Sequence, residues 1–351
     1  MLRRLGLLLL GFLFAAPSSV WPASGTEGAS FLDIPVGGAP AALGSAYTAQ
    51  ATDVYAPVWN PAGLGYLHSL EFTGMYTNYV SPVYYGHAGL VMPLGKEDQD
   101  GARPAGLGAS IQYLGTSAID AYTEDNKPAG SFTSAFVAYS LAYGQKLTDS
   151  LSAGATAKLI TEKISDATAS TYASDLGLLY KPTSKLSLGA VAANIGPGIK
   201  FANESDPLPL AARLGATYQI RPQWDLSAEG VYRRTGLLSE SMGMEWRYGE
   251  IFSFRGGYNT AHTKELGLAT GFTAGIGLFY WGQEFSFAWV PMGDLGQTLY
   301  LSLVFRWNTK ARPERPRLKP AEDSELEDYN DSGRYHDIFD FLNSDERKSV
   351  K

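Results

Sequence analysis

The 351-residue chain has no cysteine, which excludes a disulfide framework and any thiolate metal site. Charge is scarce over most of its length. Of 63 Asp, Glu, Lys and Arg residues, 20 lie after position 309; the 43 before it amount to about 14 %, where soluble domains carry about 25 %. The net charge of −7 offers no basic surface to follow a phosphate backbone, so nucleic acid is not expected as a partner. The four histidines, His68, His87, His262 and His336, show neither metal-ligand spacing nor an adjacent nucleophile. The acidic run at 97–101 lacks a full calcium loop, and the glycine pairs in "GLGLATG" lack the strand–turn–helix context of a phosphate site. No catalytic site, metal or cofactor is expected, and the chain does not read as an enzyme.

Long apolar runs are also missing beyond the first residues. Arg3 and Arg4 precede the run Leu5 to Ala16, and the small residues Ala23-Ser24-Gly25 follow. This is the pattern of a secretory signal peptide over residues 1–25. After it, no stretch approaches the 18 consecutive apolar residues of a membrane helix. Low charge without helical spans points to a transmembrane β-barrel.

A barrel strand has one face in lipid and one in the lumen, so apolar residues should alternate with small or polar ones. In "QWDLSAEGVYRR", Trp224, Leu226, Ala228 and Tyr232 oppose Asp225, Ser227, Glu229 and Arg233. In "QTLYLSLVFRW", Leu299, Leu301, Leu303, Phe305 and Trp307 oppose Thr298, Tyr300, Ser302 and Arg306. A soluble β-sandwich also alternates, but its solvent face would carry more Lys and Glu. The template predicts about fourteen strands over 69–308, beginning near 69, 82, 104, 132, 150, 172, 185, 208, 223, 239, 251, 266, 283 and 297. Short turns at "KLTDS", "KPTSK", "RPQW" and "YGE" alternate with longer stretches near 115–131, 163–171, 196–207 and 259–265, as periplasmic turns alternate with external loops. Aromatic residues at Tyr143, Tyr180, Tyr218, Trp246, Tyr248, Tyr280 and Trp307 suit an interfacial girdle.

A fourteen-stranded lumen is too wide for wall side chains to fill. Residues 26–68, rich in Ala, Gly and Pro, are the natural filler. Within them, "FLDIPVGGAPAALGSAYTAQATDVYAPVWNPAGL", Phe31 to Leu64, resembles the N-terminal signature of PorV/PorQ-type proteins in the FadL-like outer-membrane superfamily. The resemblance implies a fourteen-stranded barrel with an N-terminal hatch containing an Asn-Pro-Ala element. Asn60, Pro61 and Ala62 match that element, and Gly44 and Asp53 match the signature's Gly and Asp positions. Physically, Asn60 can bond its own backbone, Pro61 stiffens the turn and Gly63 relieves crowding. The turn either fixes the hatch to the wall or simply leads into the first strand.

Further along, Gly267, Gly271, Gly275 and Gly277 are expected on one luminal face, either as a smooth wall for the hatch or as a bend. The luminal charges Lys158, Glu162, Arg213, Glu229, Arg233, Glu245, Arg247, Arg255 and Arg306 are expected to pair across water, with Arg213, Arg247 and Arg255 the alternative contacts for a ligand carboxylate. Residues 309–351 read as a charged, mostly disordered periplasmic tail, with Tyr335, Ile338, Phe339 and Leu342 on one face of a short helix, either docking on a partner or solvated. Two functions follow from the resemblance: uptake of small hydrophobic molecules through the outer membrane, as in FadL-like proteins, or a PorV-like role binding the C-terminal domains of secreted cargo in type IX secretion.

Overall fold

The computed structural model describes residues 27–97, 101–201, 204–261 and 263–307. The signal peptide and the tail expected at 309–351, with its partner, lie outside them. Among the described residues no helix is long and apolar enough to cross a membrane; strands do so instead.

The described residues form eighteen strands: β1 Leu70–Val80, β2 Val83–Leu94, β3 Ala105–Thr116, β4 Ile119–Tyr122, β5 Pro128–Phe132, β6 Ser134–Lys146, β7 Leu151–Ile164, β8 Ala167–Tyr180, β9 Leu186–Ile195, β10 Ile199–Phe201, β11 Glu204–Asp206, β12 Ala211–Arg221, β13 Trp224–Arg233, β14 Leu238–Tyr248, β15 Phe252–Asn259, β16 Phe272–Tyr280, β17 Gln283–Pro291 and β18 Gln297–Trp307. Fourteen close into an antiparallel barrel in the order β1-β18-β17-β16-β15-β14-β13-β12-β9-β8-β7-β6-β3-β2. The seam joins β1 to β18, from Leu70↔Trp307 to Asn78↔Leu299. The remaining four strands form two small hairpins, β4–β5 and β10–β11, inside loops.

Period-2 patterning produces this wall. On β8, Ala169, Thr171, Ala173, Asp175, Gly177 and Leu179 turn inward and are buried or lack a side chain, while Tyr172, Leu176, Leu178 and Tyr180 are exposed outward. The exterior is accordingly apolar, carrying Leu141, Leu159, Leu214, Met242, Ile276 and Leu301. A closed sheet with a greasy outside and no free edge satisfies every backbone group within the bilayer. The chain is an all-β, outer-membrane barrel.

One end of the barrel carries the longer connections 117–133, 196–210 and 260–271; the other carries 147–150, 181–185, 222–223, 249–251 and 281–282. By the usual asymmetry the first faces outward and the second the periplasm. The stretch 95–104 is a long connection at the turn end, where Arg103 N–H donates to Leu67 O at 3.0 Å. Tyr143, Tyr180, Tyr218, Tyr248, Tyr280 and Trp307 stand exposed near the turn end, and Trp246 stacks between Trp224 and Phe254 at centroid distances of 5.6 and 5.5 Å.

Two boundaries differ from the sequence expectation. Residues 167–171 belong to β8, and the β7–β8 hairpin turns at 165–166, so 163–171 is no loop. β16 begins at Phe272 rather than near 266. Gly267, with φ 95°, and Gly271 lie in the preceding turns and are not wall positions.

Candidate functional site

Residues 28–67 lie inside the barrel, since their partners come from strands around its whole circumference. Gly38 N–H donates to Ser302 Oγ on β18 at 3.0 Å, and Thr273 on β16 donates to Ala42 O at 2.8 Å. Opposite them, Thr156 on β7 donates to Pro57 O at 2.9 Å and Ser187 on β9 to Ala49 O at 2.8 Å. This inner segment starts near the loop end, where Gly28 N–H reaches Pro207 O at 3.0 Å, and ends at the turn end before β1.

The segment folds in short pieces because its Pro, Gly and Ala residues favour turns over long helices. Asp53 Oδ1 accepts from Tyr55 N–H at 3.0 Å, ahead of the short helix Ala56–Trp59, and its Oδ2 accepts from Tyr47 Oη. Asn60 is extended and caps the 3-10 turn Pro61–Tyr66: its Oδ1 accepts from Ala62 N–H at 3.1 Å. Pro61 occupies the first turn position, where a missing N–H costs nothing. Asn60 Nδ2 also donates to Thr48 O at 3.0 Å and to Leu178 O of β8 at 3.1 Å. Ala62 O accepts from Ser152 on β7 at 2.6 Å. A Cβ on Gly63 would stand 1.5 Å from Ala51 O, so only glycine fits there.

The wall makes room with its own glycines. A Cβ on Gly144 or Gly154 would meet the Pro61 carbonyl, and one on Gly177 would lie 2.2 Å from Asn60 Oδ1. Of the four wall glycines expected from the sequence, Gly275 alone meets the segment, at Ala42 Cβ; Gly277 faces Ser253 and Arg255, Gly271 faces the Tyr258 ring, and Gly267 has open space. Gly144, Gly154 and Gly177, which also cradle the segment, carry no clustered sequence signal because they sit singly on different strands.

Three wall carboxylates grip its backbone. Glu71 on β1 accepts from Val54 N–H at 3.0 Å, Glu162 on β7 from Ala29 N–H at 3.0 Å, and Glu229 on β13 from Tyr47 and Thr48 N–H at 2.9 and 2.8 Å and from Thr48 Oγ1 at 2.9 Å. Each such charge-assisted bond contributes about 1.5–3 kcal/mol. Arg233 Nε adds a link to Asp33 at 3.1 Å. Within the segment, burial first and the neighbouring Glu71 second push the Asp53 carboxyl up to about 7, against the pull of its bonds from Tyr47 and Tyr55.

The remaining luminal charges are engaged with one another. Arg247 pairs with Asp225 and with Glu245 at 3.1 Å; Arg255 bridges Glu245 at 2.9 Å and Glu284 at 2.8 Å. Arg306 joins Glu284 at 3.0 Å and Glu71 at 3.4 Å, completing a chain of ion pairs along the turn end of β13, β14, β15, β17, β18 and β1. Arg247 and Arg255 are therefore held by wall acids rather than presented to a ligand, and Arg213 lies over the Trp59 ring, 5.4 Å from its centroid. Buried Lys158 pairs with Asp175 at 2.7 Å and donates to Asn194 Oδ1 at 2.7 Å, tying β7, β8 and β9 together where the β8–β9 register shifts between Ser174 and Leu176. Glu71, Asp175 and Glu284 were missed in the sequence, although the inward parity of their strands marks them.

Toward the loop end the lining becomes apolar. Tyr79 on β1, Val83 on β2, Phe136 on β6 and Val290 on β17 are partly exposed inside the wall and pack on a buried cluster containing Phe31, Ile34 and Val36 of the inner segment. The Phe31 and Phe136 rings lie 6.0 Å apart.

Neither a protein-family model nor a curated protein matches the chain. Solved structures do. The toluene transporter TbuX of Ralstonia pickettii is 15 % identical with a TM-score of 0.53, over 77 % of this chain and 96 % of that one. A Pseudomonas aeruginosa FadL homologue is 12 % identical with a TM-score of 0.52, over 78 % and 98 %. The Pseudomonas putida toluene transporter TodX is 12 % identical with a TM-score of 0.54, over 77 % and 96 %. At these identities the likeness establishes a shared barrel fold.

Proposed function

We propose that this barrel takes up small hydrophobic molecules, which bind in the loop-side lumen and pass inward when the inner segment shifts. The observation that carries this reading is the apolar, partly exposed lining at Tyr79, Val83, Phe136 and Val290, floored by Phe31 and Ile34. A general hydrophilic porin keeps its lumen polar and wet, whereas apolar side chains line sites for apolar ligands. The buried segment beneath, pinned to opposite walls, supports a hatch that blocks free flow. The names of the fold neighbours, transporters of toluene among them, agree with this substrate class.

The test is uptake of radiolabelled toluene and oleate into vesicles whose outer leaflet is lipopolysaccharide, a barrier to both. The full chain should raise the initial rate severalfold over protein-free vesicles, and Phe136→Asp should abolish the gain. Equal rates with and without protein would refute the proposal. The PorV-like reading rests on Phe31–Leu64 alone; native purification with secreted cargo bound, and no lipid or hydrocarbon, would favour it instead.

A further inference from the structure

Below the apolar lining, the wall carries polar atoms that the closed fold leaves unused. His87 on β2 is 4 % exposed and faces inward, and neither its Nδ1 nor its Nε2 has a hydrogen-bond partner among the described residues. Its cross-strand neighbour on β3 is Gln112, which is fully buried; Nε2 donates to Tyr85 Oη at 2.8 Å, and Oε1 is unpartnered. The hydroxyls of Ser110 and Ser140, which face each other across β3 and β6, are likewise unpartnered, as is that of Thr77, opposite Tyr85 on β1 and β2. Directly paired side chains on one face have Cβ atoms about 5 Å apart, so these groups make one patch.

Buried polar groups are almost always paired, and several orphans side by side call for an explanation. The patch is also neutral. An imidazole supplies one donor and one acceptor, the amide oxygen an acceptor, and each hydroxyl both. Lys158, cross-strand from Ser140, is already bound to Asp175 and Asn194. An ionised group placed here would lose water without gaining a counter-ion.

Val83, Tyr85 and His87 follow one another on the inner face of β2, and Phe136, Ala138 and Ser140 on that of β6, so the apolar lining runs directly into the polar patch. The inner segment covers it: the Tyr55 ring lies 6.2 Å from His87, and Gly37 N–H is bonded to Met75 Sδ, cross-strand from His87.

We infer that the patch around His87 and Gln112 receives the neutral hydrogen-bonding head group of the transported molecule once the segment moves. The preferred substrate is then an apolar body bearing a hydroxyl or carbonyl, taken up ahead of a plain hydrocarbon of the same size. This rests on the uptake reading above and narrows it. A hydrocarbon leaves every orphan unpaired; a hydroxyl satisfies a donor and an acceptor together.

Matched probes of equal heavy-atom number test it in the same lipopolysaccharide vesicles: 4-methylphenol against 1,4-dimethylbenzene, and 1-octanol against nonane. After subtraction of protein-free rates, the full chain should favour the hydroxyl compound about tenfold in at least one pair, the effect of roughly one hydrogen bond. His87→Phe and Gln112→Leu should each bring the ratio toward one while hydrocarbon uptake persists. Should His87→Phe fail the heat-dependent gel shift of a closed barrel, Gln112→Leu and Ser140→Ala carry the comparison. Protein-dependent uptake with a ratio near one in both pairs, or a ratio unchanged in the folded variants, overturns the inference alone and leaves the groups simply hydrated. No protein-dependent uptake of any of the four compounds overturns the transport reading with it.

Discussion

Asn60 Nδ2 donates to the carbonyl oxygen of Leu178 at 3.1 Å, tying the inner segment to a wall strand 118 positions further along the chain. The same amide reaches Thr48 O, and its oxygen takes Ala62 N–H, so one buried side chain fixes two turns of the segment and their seat on β8. Asn60→Ala removes these three hydrogen bonds, each worth about 0.5–1.5 kcal/mol. The expected outcome is frequent opening steps in planar-bilayer current recordings, with the heat-dependent gel shift of the barrel retained. Silent recordings identical to wild type would show that Asn60 does not hold the segment closed.

Gly63 and Gly74 make a matched pair. A methyl on Gly63 would collide with Ala51 O, whereas one on Gly74 meets nothing within 4 Å. Overpacking of this kind costs about 1–3 kcal/mol. Gly63→Ala should expose residues 51–66 to limited proteolysis and lower the urea midpoint, and Gly74→Ala should do neither.

The Lys158–Asp175 pair is buried on both sides. Removing one partner strands the other charge, so Lys158→Met should cost about 3–5 kcal/mol, and Lys158→Met with Asp175→Leu should recover most of it. Gel-shift titration in urea reads both values. A double variant no better than the single would show that the Asn194 bonds, not the charge pair, secure this corner.

Asp53 makes closure depend on pH. Its carboxyl lies at about 7 in the packed segment against 3.8 when free, because burial and then Glu71 disfavour the anion. The packed state therefore holds the extra proton between those values, and packing weakens as pH rises through that window. Opening frequency should climb from about pH 5 to about pH 7 and level off by about pH 8. Asp53→Asn should flatten the profile; a wild-type profile that falls with pH would contradict the assignment.

Much of the barrel was legible because lipid on one side and lumen on the other impose a two-residue rhythm, as Leu299 to Trp307 show on β18. The rhythm failed where its cause stops. On β8, Thr168 and Ser170 point outward as polar residues close to the β7–β8 turn, so this stretch imitates a loop. Near Gly267 the alternating small residues imitate a strand, yet its φ of 95° belongs to a turn. Partners were harder than positions. Arg255 meets Glu245 and Glu284 only because β14 and β17 settle in one register on either side of the β15–β16 pair, and that register is decided by the closed sheet as a whole. The orphaned atoms of His87 carry no local signature, since being unpartnered is a property of every neighbour at once.

Outward residues of β8 such as Leu176 and Leu178 need only be greasy, because acyl chains make no directional demands. Gly177 on the same strand cannot gain one methyl without striking Asn60. Mutational drift should therefore rewrite the exterior freely while the interior stays nearly fixed, and lineages of this barrel are better traced by the spacing of inward glycines and carboxylates than by overall resemblance.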